Sequence, residues 1–185
     1  LDAFAHYLYN GTEAFIVGDE PKSRYFIDTV THRRLSPEYD YISVVDESPT
    51  HTTLSLPQFE RAVYTYTVSE FGSESYSLIN TESFQTLVED AIDIKKVQKT
   101  YYDYIVLTSE GYRIYVVGKG FITPNYENIS KFDETGYEPH YLINQNDMYA
   151  IYDSETSQFL TDWCTEIIGW DYDYDLGSGF WVRKD

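Results

Sequence analysis

From Trp170 to Asp175 the chain alternates ring and carboxylate without interruption: Trp170-Asp171-Tyr172-Asp173-Tyr174-Asp175. On a strand, successive side chains point to opposite faces, so extended backbone places the three rings on one side and the three carboxylates on the other. The segment is therefore predicted to be a two-faced strand, with same-face carboxylates roughly 6.5 to 7 Å apart. It lies inside a longer acidic stretch, residues 132 to 182, which holds eleven carboxylates and neither Lys nor Arg.

The rest of the composition says whether such a strand belongs to a folded body. Twenty Tyr, ten Phe and three Trp in 185 residues are far more rings than a disordered acidic chain carries, and burying them offsets chain entropy. The length suits one core, and no low-complexity segment or Pro/Gly/Ser-rich linker interrupts it, so residues 1–185 read as a single acidic globular domain. The formal charge is −18, from 13 basic and 31 acidic residues. That field disfavours direct nucleic-acid binding, which relies on clustered cations, and repels an anionic membrane surface. No apolar run approaches the ~18 residues of a membrane-spanning helix, so no membrane insertion is expected. Cys164 is the only cysteine, which rules out an internal disulfide and a Cys-based structural zinc site.

Along the chain, Leu1, Phe4, Ala5 and Leu8 recur at helical spacing, predicting a short helix over residues 2–9. Ala14 to Val17 and Arg24 to Val30 flank a Gly18-Asp19-Glu20-Pro21 turn and read as a hairpin, with Tyr39 to Val45 continuing the strand pattern. Ser55-Leu56-Pro57-Gln58 fits a capping box that opens a second helix through Phe59, Ala62, Val63 and Tyr66. Thr81 or Ser83 caps a third, whose apolar face is Phe84, Leu87, Val88 and Ala91. After the basic Lys95-Lys96-Lys99 cluster, Tyr101 to Thr108 and Tyr112 to Gly118 form a hairpin across Ser109-Glu110-Gly111. Another spans Met148 to Asp153 and Gln158 to Trp163 around Ser154-Glu155-Thr156. Tyr25-Phe26-Ile27-Asp28 is faintly similar to Tyr149-Ala150-Ile151-Tyr152-Asp153, but both are generic at the start of a hairpin and are not read as a repeat. The predicted fold is α+β, a mainly antiparallel sheet with two or three short helices packed on it.

The carboxylate row admits three chemistries. An EF-hand calcium loop needs Gly at its sixth position and Glu at its twelfth, whereas this string has Leu176 and Val182 there. Carboxylate catalysis on sugars fits the spacing, but a catalytic pair normally flanks a cleft from different elements rather than facing one way from a single strand. An anionic recognition face fits without such obstacles, because spaced carboxylates can imitate a phosphate backbone and steer a basic partner. Against all three stands a solvated outer strand face that only keeps the protein soluble.

Elsewhere, His6, His32, His51 and His140 show no metal-binding spacing, and Pro139 between Glu138 and His140 reads first as a turn element. Gly118-Lys119-Gly120 lacks the features of a phosphate loop, and Gly177-Ser178-Gly179 is not a nucleophile elbow. No catalytic, cofactor or metal residue is therefore assigned. The leading expectation is a non-enzymatic binding or inhibitor protein that presents Asp162, Glu166, Asp171, Asp173 and Asp175 to a basic protein surface, such as that of a nucleic-acid-binding protein. An extracytoplasmic adhesion domain is the alternative, and a carbohydrate-active enzyme the third reading.

Overall fold

A computed structural model of the chain describes residues 2–7, 13–19, 22–28, 30–42, 62–68, 73–80, 83–97, 103–132, 139–173 and 177–183. Among these residues there is no helix, and every strand pair of defined register is antiparallel. The fold is mostly β, which corrects the α+β expectation.

The chain divides into two compact units, residues 1–94 and 95–185. In the first, β1 (Asp2–Tyr7), β2 (Glu13–Asp19) and β3 (Lys22–Asp28) form one sheet in that order. β4 (Tyr41–Ile42), β5 (Ala62–Val68), β6 (Glu74–Asn80) and β7 (Thr86–Ala91) form the next. The first unit ends and the second begins within β8 (Asp93–Lys96), which heads a sheet with β9 (Asp103–Thr108), β10 (Gly111–Val116) and β11 (Gly120–Phe121). β12 (Asn128–Lys131), β13 (His140–Gln145), β14 (Met148–Asp153) and β15 (Gln158–Phe159) follow in the same order, and β16 (Glu166–Asp173) pairs with β17 (Gly177–Arg183).

One module accounts for this succession, and among the described residues it is seen four times. A hairpin (β2–β3, β5–β6, β9–β10, β13–β14) is followed by a return arm that runs back along the hairpin's second strand. The arm's last strand then pairs with the first strand of the next hairpin, as β4 does with β5 and β12 with β13. Equivalent pairings fix the alignment: Arg24 bridges Tyr39, Tyr76 pairs with Ala91, Tyr112 bridges Tyr126, and Tyr149 bridges Cys164. Within Tyr149-Ala150-Ile151-Tyr152-Asp153, residues 150–153 thus occupy positions equivalent to Tyr25-Phe26-Ile27-Asp28 in the module.

Each module buries the same places. The centre of the second strand is Phe26, Leu78, Ile114 or Ile151, all fully buried, and the end of the return arm is Ile42, Ile94, Ile129 or Ile167, of which the first three are buried. Burying one such side chain stabilises by roughly 1.5 to 3 kcal/mol. In the first unit Phe26, Tyr39, Ile42 and Ile79 form a core, with Leu35 and Phe84 packed on it. In the second, Ile105, Ile114, Val116, Ile129, Tyr141, Ile143 and Tyr152 do so.

The return arm also explains the failed helix over residues 83–91. Val88 and Ala91, three residues apart, lie opposite Leu78 and Tyr76, only two apart, so the arm carries a bulge. Its inward positions consequently recur every third residue: Val88, Ala91 and Ile94 are all buried. The same spacing recurs in Ser36, Tyr39 and Ile42. A bulged strand with a period of three mimics one face of a helix. At the other end, residues 2–9 offer too few helical hydrogen bonds to stand alone, and β1 instead makes a continuous ladder from Asp2↔Gly18 to Tyr7↔Glu13. The start of the helix expected at Ser55 lies outside the described residues, but its continuation, Ala62–Val68, is the strand β5. The hairpins expected around Ser109-Glu110-Gly111 and Ser154-Glu155-Thr156 are present as β9–β10 and β14–β15.

Where the arm leaves the ladder, a hydroxyl takes over one backbone bond. The amides of Phe26, Ile114 and Ile151 donate to Ser36 Oγ, Thr123 Oγ1 and Thr161 Oγ1 at 3.0, 2.9 and 3.0 Å. In the second module Val88 stands at this position and is the direct Cα partner of Leu78. Ser36→Ala, Thr123→Val and Thr161→Val should each lower stability by about 1–3 kcal/mol, the cost of a buried donor left unmet. Urea unfolding of the three variants checks this, and substitutions without effect would exclude the hydroxyls as structural elements.

The turn between second strand and return arm is similarly encoded. Asp28 Oδ1 accepts the amides of Val30 and Thr31, both at 2.8 Å, and these bonds hold its carboxyl below the usual carboxylate range. Asp153 Oδ1 accepts those of Glu155 (2.8 Å) and Thr156 (3.2 Å), and Asn80 Oδ1 that of Ser83 (3.0 Å). The turn then needs a left-handed residue, supplied by His32, Phe84 and Ser157 with φ of 56°, 57° and 57°. Phe84 carries the largest steric penalty there, offset by its ring packing 5.3 Å from that of Phe26.

Candidate functional site

The carboxylates proposed from sequence fall into different environments. Asp162 is exposed on the fourth return arm, and Glu166 is exposed at the start of β16. Glu166 lies directly opposite Arg183, whose guanidinium reaches it at 2.6 Å. The cation missing from residues 132 to 182 thus stands one residue beyond them and neutralises this position. Both side chains are about half exposed, so the pair contributes no more than about 1 kcal/mol.

Asp171 and Asp173 differ from Glu166. Both lie on β16, within the extended run expected for the alternating string, and their direct partners on β17 are Gly179 and Gly177. A glycine brings no side chain, so the cross-strand neighbour supplies no counter-charge where opposite charges would otherwise pair. Asp175 lies outside the described residues, as do Glu134 and Glu138. A bulge between Ile167 and Gly169 shifts the register ahead of the acidic positions.

Other members of the acidic stretch have local duties. Asp147 sits with Asn146 in the two-residue turn between β13 and β14, with φ of 59° and 52°, the geometry that matches the twist of a tight hairpin. Asp153 is buried and holds the turn described above. Glu110, Glu127, Asp147 and Glu155 are exposed on the second unit together with Asp162 and Glu166.

One buried carboxylate escapes sequence reasoning altogether. Asp103, 3% exposed at the start of β9, accepts the Tyr141 hydroxyl at 2.9 Å and the Ser154 hydroxyl, both on Oδ2. Burial, followed by the charge of Asp103, pushes the Tyr141 phenol far above its ordinary range, so it remains a neutral donor. The pattern carries no motif, since Asp103 on β9, Tyr141 on β13 and Ser154 in the turn after β14 come from two modules. Cys164, fully buried with Sγ 3.2 Å from the Tyr149 carbonyl, is a packing residue of the fourth arm.

Among the described residues no group of three or more His, Cys, Asp and Glu is placed to hold a metal ion, and no helix is long and apolar enough to cross a membrane. Compared with known proteins, the chain matches no family model and no curated protein.

Proposed function

We propose that this protein is a non-enzymatic binding or inhibitor protein whose acidic strand and neighbouring carboxylates engage a basic protein surface. The observation that carries the reading is the pairing of Asp171 and Asp173 with glycines, which puts two like charges at a fixed backbone separation with no cation at the directly opposite positions. Such an array attracts a cationic partner over a distance comparable to the Debye length, about 8 Å at physiological ionic strength. Asp162, exposed on the fourth return arm, belongs to the same acidic stretch, and Glu166, paired with Arg183, contributes less than Asp171 and Asp173.

The test is affinity capture from the native host or a partner organism, with elution by rising salt, followed by titration of the purified partner. Charge reversal at Asp162, Asp171, Asp173 and Asp175 together should weaken binding by about tenfold or more, chiefly by slowing association. Glu166→Lys alone should do less. A tight complex indifferent both to salt and to these reversals would reject the proposal.

A further inference from the structure

Two modules place an arginine at the same step by different routes. In the first, Arg34 bridges Ile27, lays its guanidinium 4.8 Å from the centre of the Tyr25 ring, and donates Nε to the Ser36 carbonyl at 2.7 Å. In the third the roles are exchanged: Arg113 stands at the position of Tyr25, and Phe121 at that of Arg34. The guanidinium still lies 3.9 Å from the ring, and its Nε donates at 3.1 Å to the carbonyl of Thr123, the counterpart of Ser36. The second module has Ser77 and Thr86 at these positions, neither ring nor cation. The fourth has the ring without the cation. Phe159 pairs with Tyr152 as Phe121 does with Tyr115, Thr161 supplies the equivalent carbonyl, and Ala150 stands at the position of Arg113.

We infer that the fourth module seats an arginine side chain of the basic partner, stacked on Phe159 and donating to the Thr161 carbonyl. The inference rests on the reading that the partner is a basic protein, and names the side chain it contributes. Phe159 is 40% exposed, whereas Phe121 under its guanidinium is half-buried. The ring of Phe159 meets those of Tyr126, Tyr152 and Trp163, and among the described residues no cation lies over it. Ala150 is fully buried, so a guanidinium reaches this step from solvent rather than from β14. Trp163 occupies the position of Glu38, whose carboxylate accepts Arg34 Nη1 at 2.7 Å, so a second ring stands where the first module has a counter-charge. A planar guanidinium stacks on a ring face while donating in its own plane, which an ammonium does not do. The net charge of −18 draws such a side chain toward the protein at long range.

Amide NMR titration of the intact chain with the capped tripeptide Gly-Arg-Gly, and with its lysine and citrulline counterparts, tests the inference. Saturating shifts centred on Phe159, Leu160 and Thr161 are expected with the arginine peptide, at a Kd of about 10 mM or tighter. The lysine peptide, of equal charge, and the neutral citrulline peptide should each bind about fivefold more weakly or worse. Phe159→Leu keeps the apolar bulk without the ring face and should weaken the arginine peptide about fivefold. Unchanged circular dichroism and thermal midpoint establish that this variant remains folded, and the comparison of the three peptides on the wild-type chain does not depend on it. The inference is overturned if the three peptides shift these amides equally, if the arginine peptide acts elsewhere, or if Phe159→Leu binds it as well as the wild type. A captured partner that responds to reversal of the acidic strand but not to Phe159→Leu would also reject the seat while leaving the proposed function intact. Arginine selectivity at Phe159, with no captured partner sensitive to salt or to those reversals, would uphold the seat and reject the proposed function.

Discussion

Gly111→Ala is expected to lower the stability of the second unit by about 3 kcal/mol or more, the largest effect of a methyl added at Gly111, Gly118 or Gly120. Gly111 has φ of +128°, outside the range of ordinary L residues, and a Cβ built there falls 2.6 Å from the Tyr126 carbonyl oxygen. That oxygen cannot retreat without loss, because it accepts the Tyr112 amide at 2.8 Å in the bridge that seats the third return arm. Gly118→Ala separates the two causes. Its φ is +86° with nothing within 4 Å of the added methyl, so it carries backbone strain without collision and should cost about 1–2 kcal/mol. All three tryptophans, Trp163, Trp170 and Trp181, belong to the second unit, so their fluorescence during urea unfolding reports on it selectively. Equal midpoints for the two variants would show that the collision is relieved by movement of the arm.

Asp103→Ala should cost about 2–4 kcal/mol, because it strands two buried hydroxyls, Tyr141 and Ser154, and opens a void beside them. Asp103→Asn, which keeps one acceptor oxygen, should cost less. A double-mutant cycle with Tyr141→Phe isolates the shared bond, and the two losses should be clearly less than additive. Burial of the Tyr141 phenol beside the Asp103 charge also sets an alkaline limit. The Tyr141 phenol is raised in the folded state, so its contribution is fully present below the unfolded value of about 10 and is lost as pH climbs above it. Stability should therefore fall from about pH 10 upward, with a shallower decline in Tyr141→Phe. An identical alkaline decline in both proteins would assign the loss to other groups.

How much of this was legible in the sequence varied with the kind of signal. The hairpins at residues 103–116 and 148–159 declared themselves because their strands alternate and their turns carry Asn, Asp, Ser or Gly. The helix over 83–91 was a false reading with a definite cause: the bulged arm buries Val88, Ala91 and Ile94 three residues apart, and periodicity alone does not tell that from a helical face. The repeat was hidden by chemistry and by spacing. Phe26, Leu78, Ile114 and Ile151 share a role without sharing an identity, and equivalent positions are separated by unequal lengths because residues 43–61 lengthen the link between the first two modules. The acidic strand was visible from its alternation, but its electrostatics depended on the partner strand. Nothing in the acidic stretch distinguishes Asp171, which faces Gly179, from Glu166, which faces Arg183.

The handover of the last strand of each return arm to the following sheet bears on how the chain can be cut. A break between the third and fourth modules, after Lys131, would leave β13 without β12 and expose a raw ladder edge on the fragment. A break between Phe121 and Asn128 would instead fall between two sheets and leave each with all of its strands. The repeating module and the sheet are therefore out of phase by one strand, and grafts, truncations or circular permutants should be designed on the sheet.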